Sequence, residues 1–209
     1  CTLEDARDAP VAADPLTLYH CCPTTDGAAA VLVASEDVAA DLSEDPVRVA
    51  GVGAASDAVG LFQRDTYAGV PASALAAERA YDRAGVDANA VTDAVDFAEV
   101  HDCFAIAELM AYADLGFCAP EEAGDFVADG RSDYGGDVVV NTSGGLKSKG
   151  HPIGATGAGQ VVEAFEQLRG EAGDRQVADA ERGVTHNVGG SGGAAVVHVL
   201  ERAPEVSAR

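Results

Sequence analysis

Positive charge is scarce in this sequence. Thirteen Lys and Arg stand against 35 Asp and Glu, giving a formal net charge of −22, and Lys147 and Lys149 are the only lysines. A chain this acidic cannot neutralise the phosphates of a nucleic acid or settle on an anionic lipid face, so both partners are excluded. No apolar run approaches the ~20 residues that span a bilayer, and the opening residues lack a secretory pattern. Methionine occurs once, at Met110, and the sequence opens at Cys1. A fragment or a processed product is therefore expected. The five cysteines (Cys1, Cys21, Cys22, Cys103 and Cys118) are odd in number, and none sits in a C-x-x-C spacing. Neither a disulfide framework nor a standard zinc motif follows, and a reduced, cytoplasmic setting is expected.

What is present suits a folded α/β protein. The 209 residues suffice for a real core, and 47% of them are apolar, with much Ala and Val. The acids are scattered, and low-complexity runs are absent. An acidic surface over an Ala/Val core is the pattern of proteins from salt-loving organisms, because high salt screens the self-repulsion. This predicts unfolding at low salt and recovery in molar salt.

Hydrophobic spacing predicts a helical turn at Leu3–Arg7 and a buried strand over Asp26–Ala34, the latter a continuous apolar run after a turn. A short helix over Ser35–Leu42 follows, with Ser35 as cap. Pro46 breaks the chain, which restarts as a buried strand over Val47–Ala54; a domain boundary is placed near Asp45. Helices are expected over Ser73–Ala84, stopped by Gly85, over Phe104–Leu115, over Pro120–Ala128 and over Gly154–Leu168. Strands are expected at Val95–Val100, Val138–Asn141, Gly183–Val188 and Ala194–Leu200. This alternation predicts a mixed sheet covered by helices. His101, Asn141 and Asn187 all fall at C-terminal strand ends, where open α/β sheets place their sites.

The densest signal is the stretch Asn141–Gly157. It sets His151 in a glycine-rich turn, containing Gly144, Gly145, Gly150, Gly154 and Gly157, that leads into a helix. Pro152 fixes the turn after the histidine, and the glycines permit sharp bends or close approach. Together with His101-Asp-Cys-Phe104 and His186-Asn-Val-Gly-Gly190 it points to acyl transfer. A rival reading gathers His101, Cys103, His151 and His186 around a metal, although no pair has the close spacing of structural zinc sites.

These pieces, with Val11–Leu16, Asp26–Ala30 and Asp114–Cys118, resemble thiolases of the sterol-carrier-protein-2-type and archaeal acetyl-CoA acetyltransferase branch. The resemblance runs over nearly the whole chain. It implies a thiolase-like, mixed five-stranded sheet covered by helices. Residues 1–45 would be the tail of an N-terminal thiolase domain, and 46–209 the C-terminal domain. The half bearing the nucleophilic cysteine would then be missing, since Cys21 and Cys22 precede no helix N-terminus that could lower a thiol pKa.

The family chemistry joins or splits acyl-CoA units in lipid-type metabolism, with a coenzyme A thioester as substrate and no further cofactor. By the same resemblance Cys103 is the acid/base, its pKa brought towards neutrality by neighbouring histidines or dipoles. His151 activates the nucleophile and contacts the thioester oxygen. His101 anchors an oxyanion-hole water, and the Gly189 amide serves a second hole. Asn187 stands where other thiolases carry their acid/base cysteine. On the substrate side, Lys147 and Lys149 form a positive spot for CoA phosphates beside Gly145 and Asn141, with Asn141 also supporting the loop by hydrogen bonds. A homodimer, an N-terminal half supplied in trans and a zinc-ribbon/OB-fold companion protein are the implied partners. The competing reading is a non-catalytic subunit or remnant that binds CoA or a partner.

Overall fold

A computed structural model describes residues 2–43 and 45–203; Cys1 and residues 204–209 of the expected second domain lie outside the described residues. The chain opens with α1 (Leu3–Asp8). Thr2 and Asp5 cap it reciprocally, the Thr2 hydroxyl accepting from Asp5 N–H at 3.1 Å and the Asp5 carboxylate from Thr2 N–H at 2.7 Å. A small antiparallel pair follows, β1 (Val11–Ala13) with β2 (Leu16–Thr17). Residues 26–34 are not the buried strand expected. Their continuous apolar run has no ladder partner among the described residues, and Leu32 and Val33 are 84% and 77% exposed. A run of this kind needs cover on both faces to become a core strand, and nothing among the described residues supplies it. Helix α2 (Glu36–Leu42) begins after Ser35 as expected.

The main sheet starts with β3 (Val47–Ser56). It is an edge strand with one side half-exposed rather than a fully buried one. Helix α3 (Pro71–Ala84) begins two residues before the expected Ser73, because the fixed φ of Pro71 suits a first helical turn. It ends at Gly85 in the left-handed region, φ 69°. Helix and strand meet without side chains between them. A Cβ on Gly53 would fall onto the carbonyl oxygen of Ala76, and one on Gly51 onto that of Ala80. Along the outer edge of β3, Arg79 donates to the Ala54 carbonyl at 2.6 Å and Arg83 to that of Val52.

The remaining elements are β4 (Phe97–Glu99), α4 (Ala105–Asp114), α5 (Ala123–Ala128), β5 (Val139–Val140), α6 (Gly145–Ser148), α7 (Thr156–Arg169), β6 (Arg182–Gly189) and β7 (Ala194–Arg202). The five-stranded order is β3-β7-β6-β4-β5, with β3, β7 and β6 antiparallel and β6, β4 and β5 parallel. Alternation along the strands divides the core into two layers. Ala98, Val184, Val197 and Val199 face α3, α4 and α5, while Phe97, Val139 and Leu200 face Ala164 and Leu168 of α7. The Phe97 ring lies over its cross-strand partner Gly183, where no side chain would fit. No helix among the described residues is long and apolar enough to cross a membrane.

Candidate active site

The C-terminal ends of the parallel strands β4, β5 and β6 converge with the loop before α7. His101 and His151, far apart along the chain, meet edge to face with ring centroids 5.0 Å apart and planes at 86°. The segment after β2 straps both loops together. Cys22 N–H donates to the Cys103 carbonyl at 3.0 Å, and His151 N–H donates to the Pro23 carbonyl at 3.2 Å. These two bonds tie the Cys103 backbone to the loop of His151, whose ring meets that of His101. Gly150, at φ 95°, lies where a side chain would strike Thr25 of the same strap.

Each imidazole has a partner. His151 Nδ1 lies 2.7 Å from the Thr156 hydroxyl in the first turn of α7. Asn187 Nδ2 lies 3.2 Å from His101 Nδ1 and also donates to Gln160 Oε1 at 3.0 Å. Burial, helped by the neighbouring His151, pulls the His101 pKa from 6.5 down to about 4. Burial also lowers His151, against an opposing pull from Asp102. Both rings are therefore neutral near pH 7, the state in which an imidazole can act as base and as hydrogen-bond donor.

Cys103 departs from its expected electrostatics. Burial pushes its thiol up, and Cys22 and Asp102 add to the rise against the Phe104 backbone N–H. No histidine brings it towards neutrality, so it rests as a thiol. Burial likewise raises Cys22 and Cys118.

Asp102 accepts from Leu146 N–H at 2.9 Å and is buried directly over Gly145. Gly145 is thus a buried glycine, φ 62°, whose missing side chain leaves room for that carboxylate, rather than a wall facing a ligand. Asn141, at φ 56°, accepts from Val100 N–H at 2.9 Å and reaches Glu108 at 3.5 Å. Its amide ties the ends of β4 and β5 together, which matches the loop-supporting role and leaves little for a substrate. The lysines are also committed. Lys147 donates to the Cys21 and Leu18 carbonyls at 2.8 and 3.3 Å, and Lys149 pairs with buried Glu99 at 3.4 Å. The positive spot is largely absorbed by internal partners. Gly189 lies exposed at the end of β6, two residues beyond Asn187 on the same strand face, where it accepts from Gly192 N–H. His186 points the opposite way, its Nε2 2.8 Å from the Ser73 hydroxyl on α3. The four-ligand metal arrangement is therefore not assembled. Among the described residues no three His, Cys, Asp or Glu side chains are placed to hold a metal ion.

Sequence reasoning missed the layer beneath the histidines. Glu99, 1% exposed, accepts from Ser143 N–H and Oγ at 2.9 and 2.6 Å. Thr142 bridges Glu99 and Glu163, and Glu163 is clamped by Arg175 at 2.9 Å. Thr156, Gln160, Glu163 and Gln167 form one buried face of α7. That polar stripe at helical spacing is a signal that could have found them. Beside it, an open cleft of about 380 Å³ runs between residues 25–29 and α7, passing Ser143, Lys149 and Arg175.

A mixed five-stranded sheet thus carries a histidine pair at the mouth of its parallel strands. The chain belongs to the thiolase family: residues 53–202 match the model described as "Thiolase C-terminal domain-like". It is 44% identical to an acetyl-CoA acetyltransferase of Methanothermobacter thermautotrophicus, over 96% of this chain and 51% of the relative. It is 43% identical to sterol carrier protein 2 of Rattus norvegicus, over 88% of this chain and 34% of that protein. The solved structure of an "Ltp2-ChsH2(DUF35) aldolase" superposes with a TM-score of 0.83 at 27% identity, over 97% of this chain and 51% of that one. The chain spans about half the length, or less, of these relatives.

Proposed function

We propose that this chain supplies the acid/base and oxyanion-binding half of a thiolase-type acyltransferase, acting on CoA thioesters once joined by a nucleophile-bearing half. The observation that carries the reading is the His101–His151 pair, with the Cys103 and His151 loops tied by backbone bonds to Cys22 and Pro23. In the cleavage direction a thiolate of the other half attacks the 3-keto carbon, the C2–C3 bond breaks, and the enolate takes a proton from Cys103. The Cys103 thiolate then accepts the proton of incoming CoA, whose sulfur releases the acyl group from the nucleophile. A thiol held up by burial is the form that donates that proton. His151 serves the attacking thiol and the thioester oxygen. His101 and the Gly189 amide stabilise negative charge on oxygen.

Three observations support the need for a second half. None of the thiols at Cys22, Cys103 and Cys118 is activated. The apolar residues 30–33 are exposed, and a cleft runs between residues 25–29 and α7. In this reading residues 1–45 pack with that half, 46–209 form the C-terminal domain, and the complex works in the cytoplasm, as a homodimer in the family manner. The solved relative is named together with a second component, ChsH2(DUF35), which supports the search for a companion protein here. It is also named an aldolase. Retro-aldol cleavage likewise breaks a carbon–carbon bond and leaves an enolate to protonate, so it is the second reaction to assay.

The test is thiolysis of acetoacetyl-CoA by this chain, alone and fused to an N-terminal thiolase half. Activity is expected only in the fusion and is expected to vanish in Cys103→Ala. Turnover by the isolated chain, or full activity in the Cys103→Ala fusion, contradicts the proposal. CoA binding without turnover in every form favours a non-catalytic subunit.

A further inference from the structure

The orientation of an amide side chain and the tautomer of a neutral imidazole follow from the hydrogen-bond network around them. Around His101 the network has a fixed starting point. Gln160, fully buried on α7, faces two backbone carbonyls, Glu99 O at 3.3 Å and His186 O at 3.0 Å. Carbonyl oxygens only accept, so the Gln160 NH2 group must face them and Gln160 Oε1 must face the other way. Oε1 only accepts as well, and its partner 3.0 Å away is the Asn187 amide. Asn187 is thereby forced to present NH2 in that direction. The second proton of the same NH2 group faces His101 Nδ1 at 3.2 Å. Nδ1 must then carry a lone pair, and the ring proton sits on Nε2.

We propose that Gln160 and Asn187 are positioning residues for His101: the carbonyls of Glu99 and His186 fix Gln160, Gln160 fixes Asn187, and Asn187 holds the imidazole as the Nε2–H tautomer. A neutral ring in this state is a hydrogen-bond donor at Nε2, suited to an oxyanion or to the water that solvates one. The reason this position carries Asn187 is then orientation of the neighbouring histidine. The use of that donor rests on the acyl-transfer reading; the tautomer is a property of this chain by itself.

The experiment is imidazole ¹⁵N NMR on the uniformly labelled 209-residue chain near neutral pH, with His101 identified by single substitution. In the wild type, His101 is expected to show a protonated Nε2 and an unprotonated Nδ1. Gln160→Met frees the Asn187 amide to turn, so loss of the single tautomer and a mixture of the two is expected. Asn187→Asp places an acceptor against Nδ1, and the pattern is expected to reverse to Nδ1–H or to become doubly protonated. A wild-type ring protonated on Nδ1 overturns the proposal without any variant having to fold. So does an Nε2–H ring unchanged in both folded variants. In the active fusion, Gln160→Met is expected to lower kcat roughly tenfold or more with KM for CoA little changed. A fusion that never turns over, with the tautomer as expected, sinks the acyl-transfer reading and leaves the positioning intact.

Discussion

The imidazoles of His101 and His151 share an edge-to-face contact, 5.0 Å between centroids, and His151 bears on the protonation of His101. Burial is the larger cause of the low His101 pKa, and the charge of His151 is the second. In His151→Ala, His101 is expected to rise from about 4 while staying below 6.5. An NMR titration of the ring checks this, and an unmoved midpoint means the two rings are not coupled.

Lys149 offers a sharper test of the lysines. Its ammonium is the cation beside Glu99, whose carboxyl burial pushes up and Lys149 pulls down. Lys149→Gln leaves that buried acid with its Ser143 and Thr142 donors alone, and a loss of about 1–3 kcal/mol in unfolding free energy is expected. Lys147→Gln, which gives up bonds to two carbonyls at the edge of the site, is expected to cost less. Equal and negligible losses, with weakened CoA binding in both, would return the lysines to a phosphate-holding role.

Gly53→Ala probes the bare contact of β3 with α3. Its new methyl falls on the Ala76 carbonyl, and the neighbouring backbone has no flexible side chain to yield. Destabilisation of about 1–3 kcal/mol is expected, measured by denaturant unfolding. Gly124→Ala, where a Cβ meets open space, serves as the control.

Acid stability should depend on His186. Burial, with the nearby His101 adding, lowers its pKa to about 3, and its Nδ1 has no hydrogen-bond partner among the described groups. Above pH 6.5 folded and unfolded chains both hold it neutral. Below that, the unfolded chain binds a proton that the folded chain refuses, so stability falls from about pH 6.5 towards 3. The slope from one such group approaches about 1.4 kcal/mol per pH unit. Asp114, pushed up from 3.8 to about 6 by burial, works in the opposite direction between those values. Unfolding of wild type and His186→Leu across this range isolates the histidine. The variant is expected to lose less stability on acidification, and parallel curves would contradict the buried neutral assignment.

Much of the architecture was legible because periodicity and breakers agreed. Gly85 and Gly170 end α3 and α7 where the sequence places them, and the five-stranded mixed sheet forms as the thiolase resemblance implies. Residues 26–34 misled because an apolar run encodes a wish for burial without saying what does the burying. The histidine turn could be found from glycine and proline alone. The chemistry of its supports could not: Lys147 and Lys149 read as a charged patch, yet their partners Cys21, Leu18 and Glu99 lie far away along the chain. Gly145 and Asn141 sit in the loop that the sequence marks, but their tasks depend on Asp102 and Val100 arriving from another strand end. The buried polar stripe of α7 shows in the sequence only through its helical spacing.

Arg79 and Arg83 occupy the outer carbonyls of Ala54 and Val52, so two acceptors on the free margin of β3 are already taken. A strand added at those two positions would have to displace both guanidinium groups, which disfavours edge-to-edge growth of the sheet there.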